Sequence, residues 1–399
     1  MTPWLCVIGI GEEGLPGLPP AARTLIDTAE VLIGGERHLA MIPANGAERL
    51  AWPSPVSNLV ERIPKMRGRR VCVLATGDPM QFGIGATLAR HVPAEEMTVV
   101  PGVSAFALAA ARLAWPLDRV EKINLQGRPV EQLALHVYPG AKVLLLSHDR
   151  RSPSAVAEWL VAHGFGESRM IGLAHMGGPS ETRSEATAAR WSLTVPDFHT
   201  LAVECVAGKD AHWWPRIAGL PDDAFEHDGK LTKREFRALA LAKLAPHSGA
   251  LLWDIGAGCG SIGIEWMRAA DHAHAIALEP LAERRAMAAR NAMALGVPTL
   301  DIRDLSAPDG LTGLPQPGAV FIGGGLSVAT LTIAVDRLKP GGRLVAHAVT
   351  LESEAILLDA YAEHGGELVR LSATHAEPLG ALSGWRPLMP VTQWAWRKP

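Results

Sequence analysis

Cysteine is scarce. Four residues (Cys6, Cys72, Cys205, Cys259) lie far apart in 399, with no C-x-x-C pair and no histidine at zinc spacing. This argues against a disulfide framework and a structural metal site and fits a reducing compartment. The opening Met1-Thr2-Pro3-Trp4-Leu5-Cys6 lacks the basic region of a signal peptide. No uncharged apolar run approaches the ~20 residues that a membrane helix needs. A cytoplasmic protein with no membrane partner is the expectation. Excess charge is missing too: 38 Lys+Arg against 41 Asp+Glu give −3, so no global field recruits nucleic acid. Internal repeats and low-complexity tracts are also absent.

The chain has 48% apolar and 20% charged residues, an ordinary globular balance. Its length suggests two domains, and 40 Gly with 30 Pro favour many tight loops. Short apolar runs that end in glycine alternate with alanine-rich helical stretches, the pattern of parallel sheets with crossover helices. In the first half the runs lie at 4–8, 31–33, 71–75, 97–100, 143–147, 170–173 and 201–206, with helices at 21–29, 85–91, 104–113 and 153–163. In the second half strands read at 251–255, 273–278, 299–302, 319–322 and 343–348, and helices at 233–244, 261–269, 282–295 and 327–338; Trp394–Trp396 closes a last strand. Gly208, Pro215, Gly219 and Pro221 interrupt the periodicity, so the reading is two α/β domains, 1–206 and 222–399, with a linker over 207–221.

Both domain openings contain G-x-G-x-x-G, at Gly9, Gly11, Gly14 and at Gly258, Gly260, Gly263. A dinucleotide fingerprint needs its third glycine on a helix facing the ligand. Pro16, Pro19 and Pro20 forbid a helix starting at Gly14, so the first match reads as a strand-ending turn. The second reads Asp254-x-Gly256-x-Gly258-x-Gly260, followed by a helix from Ser261. An acid at a strand end with three alternate glycines is the pattern of Rossmann-like methyltransferases. Glu279 closes the next strand, where a carboxylate can accept from both hydroxyls of a ribose. S-adenosylmethionine (SAM) is the ligand this pattern favours, with a nicotinamide dinucleotide as the alternative; no G-K-[ST] follows, so a P-loop is excluded. Asp304 is a candidate for the adenine amino group, its alternative a solvated turn residue. Gly323-Gly324-Gly325 leaves open backbone at the end of a central strand.

The resemblance covers nearly the whole chain. Residues 1–206 resemble the tetrapyrrole methyltransferase family through Val7-Ile8-Gly9-Ile10-Gly11, Gly34-Gly35-Glu36-Arg37-His38-Leu39, Thr76-Gly77-Asp78-Pro79-Met80, Pro101-Gly102-Val103-Ser104-Ala105-Phe106, Gly127-Arg128-Pro129 and Gly177-Gly178-Pro179. Residues 222–399 resemble the decarboxylating corrinoid methyltransferase domain through His227-Asp228-Gly229, Thr232-Lys233-Arg234-Glu235, the Asp254 loop and the Gly323 turn. Fused in this order, they resemble the bifunctional, decarboxylating precorrin C5,15-methyltransferases of cobalamin biosynthesis. Two departures stand out. The family's Ser-Leu-His before Gly-Arg-Pro reads Asn124-Leu125-Gln126, and glutamine cannot act as an acid or base. The proline often found in the first glycine loop is replaced by Glu12-Glu13.

The resemblance implies an N-terminal two-lobed α/β domain and a C-terminal Rossmann-like sheet with an antiparallel strand near its end. It implies one SAM per domain: Gly9, Gly11, Gly77, Asp78, Met80, Gly83, Ile84, Ser104 and Ala105 in the first, and Asp254, Gly256, Gly258, Gly260, Glu279 and Thr232 in the second, with Asp304 and Gly323 beside them. The implied substrate is a tetrapyrrole, precorrin-6B, methylated at C5 and C15 and decarboxylated at the C12 acetate to precorrin-8X. Its carboxylates call for cations around each pocket: Arg128, Arg183 and Arg237, with His227, Lys233 and Arg234 as candidate catalytic groups. For Arg234 and Arg237, three apart on one helix, a solvated face is the competing reading, and His227 with Asp228 reads equally as a loop hydrogen bond. Family members of the first type often dimerise, so homo-oligomerisation is an expectation of the resemblance. A corrinoid carrier would need no intact SAM loops, and an RNA methyltransferase should add a basic groove or a base-stacking motif, which this sequence lacks.

Overall fold

Apolar runs of about five residues are too short for core helices and become strands buried on both faces when crossover helices cover them. The computed structural model describes residues 3–399. It forms two compact units: the chain up to Val130 with His136–His212, and Glu131–Leu135 with Trp213–Pro399.

Unit 1 has two sheets. The first holds β1 (Leu5–Ile10), β2 (Val31–Gly34), β3 (Glu48–Ala51), β4 (Val71–Thr76) and β5 (Met97–Val100) in the order β3-β2-β4-β1-β5, all parallel. The intervening helices are α1 (Pro20–Asp27), α2 (Glu36–Ala40), α3 (Ser57–Val60) and α4 (Ile84–Leu88). After β1 the chain makes only a 3₁₀ turn over Leu15–Gly17, and α1 opens with Pro20 in its first turn, where proline's missing N–H costs nothing. α5 (Ala105–Leu113) packs through Phe106 and Ala109 against the second sheet. That sheet holds β6 (Glu121–Asn124), β7 (Lys142–Leu146), β8 (Arg169–Ala174), β9 (Thr182–Thr187) and β10 (His199–Glu204), with α6 (Ser152–Ala162), in the order β6-β7-β10-β8-β9. All its pairs are antiparallel except β6 with β7.

Unit 2 holds β11 (Leu251–Ile255), β12 (His274–Leu278), β13 (Asp301–Arg303), β14 (Ala319–Ile322), β15 (Arg343–Ala348), β16 (Glu367–Leu371) and β19 (Val391–Arg397); β17 (Thr374–Leu379) and β18 (Leu382–Pro387) make a separate hairpin. The helices are α7 (Arg234–Leu244), α8 (Ser261–Ala269), α9 (Ala282–Ala294), α10 (Val328–Arg337) and α11 (Leu351–His364). The sheet order is β13-β12-β11-β14-β15-β19-β16, parallel as far as β15 and antiparallel at β19. Successive strands leave β11 on one side and return on the other, so a crevice opens at the carboxyl ends of β11 and β14.

A buried ion pair ties α7 to α8. Arg237 has no exposed surface. Its Nε donates to Glu265 Oε1 at 2.6 Å, and its two terminal nitrogens reach Asp222 and the carbonyls of Thr232 and Leu220. Glu265 in turn accepts from the amides of Gly219 and Leu220. This corrects both sequence readings of Arg237: it is neither on a solvated face nor able to reach a substrate, because its Nε is spent on Glu265 and its two terminal nitrogens on the segment 219–232. Glu265→Leu would strand the guanidinium, and a loss of ~3–5 kcal/mol is expected. The double variant Arg237→Met/Glu265→Leu should lose less. Urea denaturation followed through Trp253 and Trp266, both fully buried in this unit, measures the difference.

Candidate functional site

In unit 2, β11 ends in Asp254 and Ile255, and the chain turns at Gly256 with φ +70°. A Cβ there would meet Gly324 Cα at 2.7 Å, so the turns after β11 and β14 touch through bare backbone. Asp254 is 1% exposed, and its Oδ2 accepts the amide of Gly263 inside α8 at 2.9 Å. A Cβ on Gly263 would come within 3.1 Å of that same oxygen. Glu279, 3% exposed, accepts from Gly258 N at 2.9 Å through one oxygen and from Leu281 N at 3.0 Å through the other. The two carboxylates therefore shape the glycine loop, and each Glu279 oxygen keeps a lone pair for a ligand hydroxyl. Burial, with Glu279 nearby, pushes the Asp254 carboxyl up to about 7 despite the Gly263 hydrogen bond.

In unit 1 a cleft of about 520 Å³ is lined by Gly11, Gly77, Asp78, Gly83, Ile84, Ser104 and Ala105, seven of the nine residues expected to hold SAM there. Gly9 lies beneath it: a Cβ at Gly9 would sit 1.9 Å from the Gly77 carbonyl oxygen. Met80 is half exposed and is not among the lining residues. Asp78 Oδ1 accepts the Met80 amide at 2.8 Å, and Ser104 caps α5 by accepting from Ala107 at 3.2 Å. The cleft continues to Gln126, in the position of the family's histidine, and to His38, His148, His175 and His199.

The expected ring of cations is not found: among the described residues no arginine or lysine lines this cleft, and Arg37 stands behind its wall, against Glu12, His38, Thr76 and Phe198. Arg128 is exposed and is not among the lining residues, and Arg183 pairs with Glu185 on the edge strand β9. The remaining second-unit candidates are engaged locally. His227 Nδ1 accepts the Gly229 amide, so it forms a loop hydrogen bond, while Asp228 pairs with Arg284. Lys233 Nζ lies 3.5 Å from Asp222, and Arg234 donates to the Gly219 carbonyl. Thr232 lies on the segment that passes over the glycine loop, where the Lys230 carbonyl is 3.7 Å from a Cβ built on Gly258. Asp304 is held by both terminal nitrogens of Arg285 at 2.9 Å. Gly323 is at the end of β14, where a Cβ would strike the Phe321 ring at 2.8 Å. Sequence reasoning missed Glu12, His38 and His175 as cleft residues. The signal available for His175 was its place between a predicted strand and Gly177-Gly178-Pro179.

Ionising a carboxyl held at about 7 instead of its ordinary value costs the folded unit ~4 kcal/mol. With the folded pKa raised, the cost is absent below about pH 4, grows as pH rises to 7, and is complete above that. Asp254→Asn keeps an acceptor for Gly263 but cannot ionise. The stability difference between variant and native chain should therefore move in the variant's favour from pH 4 to 7 and then level off, as measured by denaturant unfolding across that range.

The model described as "Tetrapyrrole (Corrin/Porphyrin) Methylases" matches residues 5–190, and that of the "Precorrin methyltransferase domain" matches 223–398. Over its whole length the chain is 47% identical to a precorrin-6Y C(5,15)-methyltransferase [decarboxylating] of Sinorhizobium sp, covering 97% of that protein. Two shorter Salmonella typhimurium proteins are also similar. One is a cobalt-precorrin-7 C(5)-methyltransferase, 37% identical over 42% of this chain and 82% of that protein. The other is a cobalt-precorrin-6B C(15)-methyltransferase (decarboxylating), 36% identical over 40% of this chain and 85% of that protein. With its two-lobed cleft and its glycine-lined crevice on one chain, this protein belongs to the decarboxylating precorrin-6Y C(5,15)-methyltransferase family.

Proposed function

We propose that the chain methylates precorrin-6B at C5 and C15 and removes the C12 acetate carboxyl as CO₂, giving precorrin-8X, with one SAM held in each unit. Unit 1 acts at C5, and unit 2 acts at C15 and decarboxylates. Support for this division comes from the two Salmonella relatives, whose names separate the same two activities.

The observation that carries the reading is the paired buried carboxylates and bare backbone at the β11–β14 crevice. The donor set suits SAM. Glu279 has acceptor capacity left for two ribose hydroxyls, and the Gly256–Gly324 approach brings two loops of bare backbone together at the crevice, which any side chain at Gly256 would push apart. Bound SAM supplies a methyl activated by its sulfonium, so no Ser, Cys or His nucleophile is required. The residues of each unit mainly align the donor with a tetrapyrrole carbon and keep water out. In unit 1, Asp78 and Ser104 hold the loops that shape the apolar wall of the cleft.

Glu279→Gln keeps the shape but replaces a charge-assisted acceptor by an amide. A cost of ~1.5–3 kcal/mol in SAM binding is expected, about a 10- to 150-fold rise in Kd at one site. Calorimetry on the native chain should give two SAM per chain. In the variant, mass spectrometry of the product at limiting SAM should show the C15 methyl and CO₂ loss falling together while the C5 methyl persists. Unchanged affinity would remove Glu279 from the second cofactor site, and loss of all three changes together would overturn the division.

A further inference from the structure

Four side chains in unit 1 close a circuit. Glu12, in the loop after β1, uses one carboxylate oxygen on Arg37 and the other on His175 Nδ1 at 3.0 Å. The Arg37 guanidinium lies 3.9 Å over the Phe198 ring. Phe198 packs against the His175 ring at 5.7 Å between centroids. Glu12, His175 and Phe198 line the cleft together with the glycines described above.

His175 follows β8 and has φ +51°, a left-handed conformation costly for a residue with a side chain. Its amide is fixed by the Phe198 carbonyl, and its own carbonyl accepts from Gly178. Glu12 accepts from Nδ1–H, so the neutral ring presents Nε2 as an acceptor. Among the described residues Nε2 has no hydrogen-bond partner, and it is not one of the enclosed unpartnered atoms. The other cleft histidines are less suited. His38 Nε2 is taken by Arg37 and Thr76, and its Nδ1 is enclosed. His199 gives Nδ1–H to the Pro196 carbonyl, and its Nε2 is enclosed. Among the described residues the His148 ring makes no hydrogen bond that orients it, only its amide reaching Ser152, and position 126 is glutamine.

We propose that His175, oriented by Glu12, is the base that removes the C5 proton in unit 1, an inference that rests on the C5 assignment above. A methine carbon that gains a methyl must lose its hydrogen to restore conjugation. The C5–methyl bond forms from the ring's electron pair as the methyl–sulfur bond breaks, that pair staying on sulfur. The C5–H proton then passes to His175 Nε2, and the C–H pair closes the ring double bond. Glu12 is a positioning residue: it sets the tautomer and stabilises the imidazolium, while Arg37 holds the other oxygen of its carboxylate.

The test uses the full chain with precorrin substrate and SAM. His175→Asn suits the left-handed backbone and should slow C5 methylation ~10²–10⁴-fold, leaving KM, C15 methylation and CO₂ release within about threefold. The tetrapyrrole spectrum should show an interrupted conjugation, and C5-deuterated substrate should show a larger isotope effect. Glu12→Gln should lower kcat without raising KM, and Glu12→Asp should recover part of it. Independently of turnover, diethylpyrocarbonate should label His175 in the protein without SAM, and the tetrapyrrole alone should block that labelling in peptide mass maps. An unchanged C5 rate in His175→Asn, a loss confined to KM, or labelling that the tetrapyrrole does not block would overturn the inference while leaving the C5 assignment standing. Absence of C5 methylation in the native chain would overturn both.

Discussion

Both units depend on backbone meeting backbone without side chains between. In a parallel sheet the strands all deliver their carboxyl ends to one edge, where loops must pass each other within van der Waals distance to shape a crevice. Gly9 against Gly77 in unit 1 and Gly256 against Gly324 in unit 2 are those crossings. Neither can take a methyl group without separating two loops that carry site residues. The same constraint accounts for the sequence pattern, since apolar runs buried on both faces must end abruptly at glycine.

Around these crossings, polar groups are spent on holding backbone before any are left for chemistry. Asp254, Glu279, Asp78 and Ser104 each accept a backbone amide. Arg237 and Glu265 hold the 219–232 segment from inside the protein. Among the described residues that line the unit 1 cleft, the groups left without a hydrogen-bond partner include His175 Nε2 and the Ser147 hydroxyl. A methyl transfer from an already activated donor needs alignment more than it needs a nucleophile.

The central strands were legible because they are apolar and end in glycine or, for β12, at Glu279-Pro280: β1, β4, β11, β12 and β14 lie within two residues of their expected bounds. The edge strands were not. β3 (Glu-Arg-Leu-Ala) and β9 (Thr-Arg-Ser-Glu-Ala-Thr) are mostly exposed and carry charges that blunt an edge, so they lack the apolar alternation that announces a strand. The hairpin β17–β18 is likewise exposed along nearly all its length. At the sites, glycine and acid spacing located the loops, because backbone demands are written locally. The cations were misplaced because a basic residue reads the same whether its charge faces solvent or is buried: only the packing of α7 on α8 shows that Arg237 is enclosed. The Glu12–His175 contact spans 163 positions, a separation at which no local pattern operates.

The Asp254–Gly263 bond has a consequence for how this loop can vary. The first amides of a helix have no partner within it, and α8 has one of them satisfied from the preceding strand instead of by a cap of its own, since Gly260 offers no side chain. The entry of α8 is therefore measured out from β11 by a fixed number of residues. Inserting or deleting even one residue between 255 and 262 would turn the amide of Gly263 away from the carboxylate and bring a neighbour's side chain onto it. Length variation between homologous chains should thus be forbidden in this connection and tolerated in turns such as Gly380, where nothing lies within 4 Å of a built Cβ.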